Sequence, residues 1–195
     1  MKHRVAIFVS GNGTNAEEIM NFFRDHHSIE VNLLLTNNAN AYAIERAKKS
    51  GVPSKVFSRE EFCGEDIVHM LTDRGITHIV LAGFLWLIPE SLIKAYPNKI
   101  INIHPALLPK YGGKGMYGIK VHEAVKASGD TYTGITIHLV NTKYDEGEIL
   151  AQKSVEIKSS DTAEDIANKV HELEYKYYPA VIESWIIAQV APRIR

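Results

Sequence analysis

A single cysteine, Cys63, excludes an internal disulfide, and its expected role is that of a small semi-buried side chain. There is no Cys-x-x-Cys and no His-Glu-x-x-His. His104, His122, His138 and Asp145 lack the tight spacing of a ligand set, so no metal is expected. No apolar run approaches the roughly 18 residues of a membrane span. The five apolar residues Val5 to Val9 end at a glycine turn, too short a run for a signal peptide. Neither sign of charge dominates. Twenty-two Lys and Arg against 23 Asp and Glu leave a net charge of -1, with no general attraction for nucleic acid or an anionic membrane. Any hold on an anionic ligand must be local. Repeats, low-complexity tracts and linkers are also missing, and 195 residues fit one domain, 1–195, in a cytoplasmic protein.

What is present is an alternation of strands and helices. Residues 4–9 read as a buried strand, 15–26 as a helix, 31–36 as a strand and 41–50 as a helix with Gly51 at its C-terminal cap. A short strand near 54–57, a helix near 60–74 and a buried strand at 78–83 follow. Pro89 opens a helix to about Tyr96, and 99–104 is the next strand. Strands apolar on both faces, separated by helices, predict an α/β fold with a mostly parallel, twisted sheet. After residue 130 the pattern changes. Two closely spaced strands, about 132–140 and 148–157, predict an antiparallel extension of the sheet in the C-terminal third. A long helix then starts at a capping-box-like Asp161-Thr-Ala-Glu164 and runs to about Gln189.

Three stretches carry chemistry. Ser-Gly-Asn-Gly-Thr-Asn, 10–15, lies between the first strand and a helix N-terminus, where backbone N–H groups and the helix dipole favour an anion. Gly11 and Gly13 allow a close approach, and Thr14 and Asn15 offer donors and helix caps. The stretch reads as a phosphate cradle or as a plain strand-to-helix turn. It lacks the third glycine and the downstream acid of a dinucleotide site, and the Gly-Lys-Ser/Thr of a triphosphate loop. In Asn-Ile-His-Pro, 102–105, Asn102 and His104 share one strand face at its carboxyl end. An amide donor beside an imidazole suits oxyanion stabilisation and protonation of a leaving nitrogen, although a capped strand end would look the same. Asp145, in an Asp-Glu-Gly turn, reads locally as a turn residue. It becomes a functional candidate if the fold brings it to His104, whose imidazolium it would favour.

These stretches together resemble a known family. Ser-Gly-Asn-Gly-Thr-Asn, Leu-Ala-Gly-Phe at 81–84, Asn-Ile-His-Pro-Ala-Leu-Leu-Pro-Lys-Tyr at 102–111, and the run from Thr133 through Gly147 resemble the folate-dependent formyltransferases. The 10–15 stretch and the chain length resemble the phosphoribosylglycinamide formyltransferases of purine biosynthesis in particular. The resemblance covers nearly the whole chain, in order.

It implies a catalytic trio of Asn102, His104 and Asp145. Gly11, Asn12, Gly13, Thr14 and Asn15 would hold the phosphate of 5-phosphoribosylglycinamide, with Glu174 near its ribose. The cosubstrate would be 10-formyltetrahydrofolate, bound by Arg59, Leu85, Trp86, Leu87, Ile88, Asn102, Val140, Asn141 and Asp145. A phosphate-binding half, 1–100, would precede a catalytic and folate-binding half, 101–195. The resemblance further implies that Asp145 keeps His104 protonated, and that the protein is a monomer or homodimer with small-molecule partners only. The chain departs from the family at Leu85 and Trp86, where Met and Arg are frequent, and in a longer loop after Tyr111 that leaves His122 unassigned. Two relatives with added domains, formyltetrahydrofolate hydrolase and methionyl-tRNA formyltransferase, fit less well, as does a non-catalytic nucleotide-binding module.

Overall fold

The computed structural model describes residues 2–189. Seven strands form one sheet in the order β3-β2-β1-β4-β5-β6-β7. They are β1 (His3–Val9), β2 (Ile29–Thr36), β3 (Ser54–Val56), β4 (His78–Leu81), β5 (Ile100–His104), β6 (Tyr132–Leu139) and β7 (Ile149–Glu156). Strands β1 to β5 pair in parallel, while β6 runs antiparallel to β5 and β7 antiparallel to β6. A mostly parallel sheet with an antiparallel C-terminal extension is what the alternation predicted.

The period-2 geometry of a strand sorts its residues between two apolar layers. From β1, Val5, Ile7 and Val9 enter one layer with α1 (Thr14–Phe22), α2 (Ala43–Lys49), α6 (Ile119–Ser128) and α7 (Ala163–Ala188). Ala6 and Phe8 enter the other with α3 (Arg59–Cys63), α4 (Asp66–Asp73) and α5 (Glu90–Ala95). Burying each large apolar side chain contributes about 1.5–3 kcal/mol.

Four local expectations are corrected. The helix expected over 60–74 is two, because a Ser58–Glu61 capping box starts α3 and Gly64 takes an extended conformation after Cys63. Helix α6 was not expected, although Gly118 and Gly129 bracket it and Val121 and Val125 bury one face. The capping box of α7 is Thr162 with Asp165, one residue later than expected, because Asp161 is taken up by the Lys158 N–H and the Lys169 ammonium. Cys63 is exposed rather than semi-buried.

This topology positions the site. The chain leaves β1 toward β2 on one side and returns to β4 on the other. The carboxyl ends of β1 and β4 therefore diverge into a crevice, the place where open α/β sheets bind ligands. Ser10 N–H donates to the Gly83 carbonyl across its floor at 3.1 Å. Strand β5 then places Asn102 and His104 at the same edge. No helix among the described residues is long and apolar enough to cross a membrane.

Candidate active site

A cavity of about 840 Å3 opens at the carboxyl ends of β1, β4 and β5. Residues 10–15 form one end of it. Gly13 is the N-cap of α1 with a φ of +75°, and a Cβ there would lie 2.5 Å from the Ala43 Cβ. The helix contact therefore demands glycine whatever the turn binds. Neither Thr14 nor Asn15 caps α1, contrary to expectation: the helix has no side-chain cap. Asn15 instead donates its amide to Glu174 Oε2 at 2.8 Å. The uncapped N–H groups stay available to an anion. Arg46 of α2, which carries no motif signal, holds the turn from behind. Its Nε donates to the Asn12 carbonyl at 2.9 Å, one terminal nitrogen donates to Asn12 Oδ1 at 3.0 Å, and the other pairs with Glu17.

Gly11, by contrast, has open space where a Cβ would stand, and it lines the cavity. On the expectation that this turn holds the ribonucleotide phosphate, Gly11→Val should keep the melting temperature while raising the ribonucleotide KM about tenfold or more, with folate-analogue affinity nearly unchanged. Calorimetry that found folate binding lost and ribonucleotide binding kept would exchange the two ends of the cavity.

The centre is built on the β5–β6 ladder. Its register places Asn102 opposite His138, and Asn102 Nδ2 lies 3.1 Å from His138 Nε2. His138 Nδ1 donates to the Leu139 carbonyl at 2.8 Å, so in the neutral ring Nε2 accepts from the amide. Thr136 ties down the loop after His104, donating to the Ala106 carbonyl and accepting from Leu108 N–H. The turn beyond β6 carries Asp145 inward. A Cβ on Gly147 would run into the Leu139 carbonyl oxygen, so only glycine lets the chain return this closely. Asp145 Oδ2 lies 3.4 Å from His104 Nδ1 and accepts from Gly113 N–H at 2.9 Å. Its Oδ1 lies 3.6 Å from His138 Nε2.

The electrostatics correct one expectation. Burial pushes the His104 imidazolium below the ordinary histidine range. The Asp145 carboxylate and the Tyr111 carbonyl pull it back, the His138 ring adds to the lowering, and burial wins. Burial thus opposes Asp145 and makes the His104 imidazolium less favoured than in a free histidine. Burial alone would raise Asp145, but the His138 and His104 rings and the Gly113 N–H hold it below the usual carboxylate range.

Helix α7 closes the side of the cavity between the turn and this centre. Glu174 is 5% exposed, and burial raises it to about 7 against the hydrogen bond from Asn15. His122 of α6 and His171 of α7 line the same wall. His122 is 2% exposed with no partner for Nδ1 among the described residues, and burial, then the charges of His171 and His104, lower it to about 4. An acid whose folded pKa is raised stabilises the fold fully below its ordinary value of 4.5 and loses that contribution as pH rises toward 7. Glu174→Gln is therefore expected to raise the melting temperature at pH 8 more than at pH 5. Scanning calorimetry at both pH values checks it, and an equal shift at both would remove the assigned cause.

At the far end Leu85, Trp86, Leu87, Ile88 and Val140 line the cavity, with Leu85 45% exposed at its lip. Trp86 packs against Phe57, Phe62 and Phe84, and the Arg59 guanidinium sits 4.6 Å from its ring centre. Arg59 and Asn141 do not themselves line the cavity. No group of three or more His, Cys, Asp or Glu among the described residues is placed to hold a metal ion.

The profile of the formyl transferase family matches residues 3–182. The chain belongs to this family. It is 44% identical over 188 residues to the chloroplastic phosphoribosylglycinamide formyltransferase of Arabidopsis thaliana, covering 93% of this chain and 64% of that relative. It is 37% identical to phosphoribosylglycinamide formyltransferase of Bacillus subtilis strain 168, covering 92% and 93% of the two chains. The chain thus spans just under two thirds of the plant relative and nearly all of the bacterial one. The structure of phosphoribosylglycinamide formyltransferase from Anaplasma phagocytophilum superposes with a TM-score of 0.86 at 32% identity, over 97% of this chain and 89% of that one.

Sequence reasoning passed over Arg46, Tyr111 and His171 and gave His138 no role beyond the metal question. The register of β6 on β5 is the signal that finds His138, since it faces Asn102 across the ladder.

Proposed function

We propose that the protein transfers the formyl group of 10-formyltetrahydrofolate to the amine of 5-phosphoribosylglycinamide in de novo purine (IMP) biosynthesis, as a cytoplasmic enzyme. The observation that carries this reading is the meeting of an amide, an imidazole and a carboxylate, Asn102, His104 and Asp145, at the middle of one crevice. The phosphate would sit on residues 10–15, with the ribose toward Glu174 and the pterin against residues 85–88 and Val140. Holding both substrates in this orientation turns a two-substrate step into an effectively unimolecular one.

The amine attacks the formyl carbon, and the carbonyl becomes a tetrahedral oxyanion. The Asn102 amide donates to that oxygen. The new ammonium passes a proton to the neutral Nδ1 of His104. The resulting imidazolium faces Asp145, which stabilises it. It returns the proton to N10 as the C–N10 bond breaks, and tetrahydrofolate leaves. One proton moves from amine to N10 and no net charge changes. No covalent enzyme intermediate is needed.

The test is spectrophotometric turnover of 10-formyl-5,8-dideazafolate with and without the ribonucleotide. Release of the deformylated product only with ribonucleotide is expected. Release without it would mean a hydrolase, and binding without release a non-catalytic module.

A further inference from the structure

Tyr111 does not line the main cavity, yet it touches the catalytic imidazole through its backbone. His104 Nε2 lies 2.7 Å from the Tyr111 carbonyl. A carbonyl only accepts, so Nε2 carries the proton, and in the neutral ring Nδ1 is left as the lone pair. Nδ1 lies 3.4 Å from the Asp145 carboxylate, so a proton taken up there meets a counter-charge. The reversed tautomer would set the Nε2 lone pair against the Tyr111 carbonyl and leave Nδ1 already protonated, unable to take up a further proton.

The carbonyl is aimed by an unusual backbone. Tyr111 has a φ of +58°, a left-handed conformation that disfavours a bulky residue. Its side chain shows what holds it there. The phenol donates to Asp130 Oδ2 at 2.8 Å and lies 2.7 Å from the Ser128 hydroxyl. Lys110 pairs with the same carboxylate at 3.1 Å, and Ser128 donates onward to the Val125 carbonyl in α6. All of this lies on the outer side of the loop, lining a separate small hollow with Leu107 and Thr133. The phenol thus does not line the main cavity.

We infer that Tyr111 is a positioning residue for formyl transfer: its carbonyl sets the Nε2–H tautomer of His104, and its phenol, tied to Asp130, holds the backbone turn that aims the carbonyl. The inference rests on the reading of His104 as the proton carrier. The carbonyl also favours the imidazolium, so a weakened contact lowers the basicity of the ring further. The charged or titratable groups facing His104 are Asp145 from the turn after β6, His138 from β6 and His122 from α6. Those around the phenol are Asp130 and Lys110.

The experiment is Tyr111→Phe, with Asp130→Ala as a variant that leaves Tyr111 in place. Each is read by the ring-nitrogen NMR shifts and titration of His104 without substrates, and by kcat and KM. In Tyr111→Phe the Nε2–H tautomer is expected to lose its dominance and the ring to titrate at lower pH. The kcat should fall roughly tenfold at neutral pH, with both KM values within about twofold. Asp130→Ala should show the same ring signature at smaller amplitude. The double variant should be no worse than Tyr111→Phe, because the two groups form one anchor. Ring-nitrogen shifts and titration equal to wild type in both variants would overturn the inference, even if kcat fell. A wild-type protein that turned over no formyl folate would sink the transferase reading instead, and the substrate-free ring signature would still decide the role of Tyr111.

Discussion

Asn102→Ala is expected to lower kcat by roughly 10²–10³, the scale of losing one oxyanion donor. The expectation follows from how the amide is held. The Nε2 of His138 takes one amide hydrogen, and His138 is itself locked by the Leu139 carbonyl. The other hydrogen has no partner among the described residues, and Asn102 lines the cavity. A pre-aimed donor costs no reorganisation when charge develops on the formyl oxygen. Alanine removes the donor without adding bulk, so both substrates should still bind. Steady-state kinetics with each substrate varied decide it. A defect confined to the KM of one substrate would mean that Asn102 only grips that substrate.

Asp145→Asn should lower activity at neutral pH by more than tenfold, through His104. Asparagine keeps the shape but not the charge. Burial already holds the His104 imidazolium low, and Asp145 is the largest influence opposing it. Removing the charge moves the ring lower still, each pKa unit corresponding to about 1.4 kcal/mol. The sign follows from the neutral resting ring. Activity requires an unprotonated Nδ1, so the acid limb of kcat lies below the ordinary value of 6.5 and moves to yet lower pH in the variant. The plateau falls because the imidazolium formed in flight has lost its counter-charge. A pH–rate profile with an NMR titration of His104 tests both parts. Full activity with an unchanged ring would reduce Asp145 to a turn residue. Lost activity with an unchanged ring would shift its role to arranging water.

Much of this was legible in the chain. Apolar strands separated by helices give the parallel half of the sheet, and the spacing of Asn102 and His104 gives their shared face. The glycine turn that carries β1 into α1 at the crevice is legible in 10–15. What stayed hidden is what depends on distant partners. Gly13 is dictated by Ala43 of α2, Arg46 braces Asn12 from another helix, and His138 gains meaning only from its register on β5. The resting charge of His104 was hidden for the same reason. Proximity to a carboxylate can be guessed from a turn, but the burial that outweighs it belongs to the finished core. Helix α6 escaped because its apolar face is short and its start lies in a glycine-rich loop.

The division of the centre among β5, β6, the following turn and α7 bears on how the protein acquires its activity. Strand β1 itself pairs with the distant β4, Val5 beside His78, and the 10–15 turn is braced by Arg46 of α2 and held through Asn15 by Glu174 of α7. Asn102 meets His138, and His104 meets Asp145, only after long loops have closed and the antiparallel strands have docked. Contacts of that range are slow to form, because chain entropy must be lost before they return any free energy. The turn and the centre both wait on distant partners, so catalysis on refolding is a clock for the last step of folding rather than for collapse.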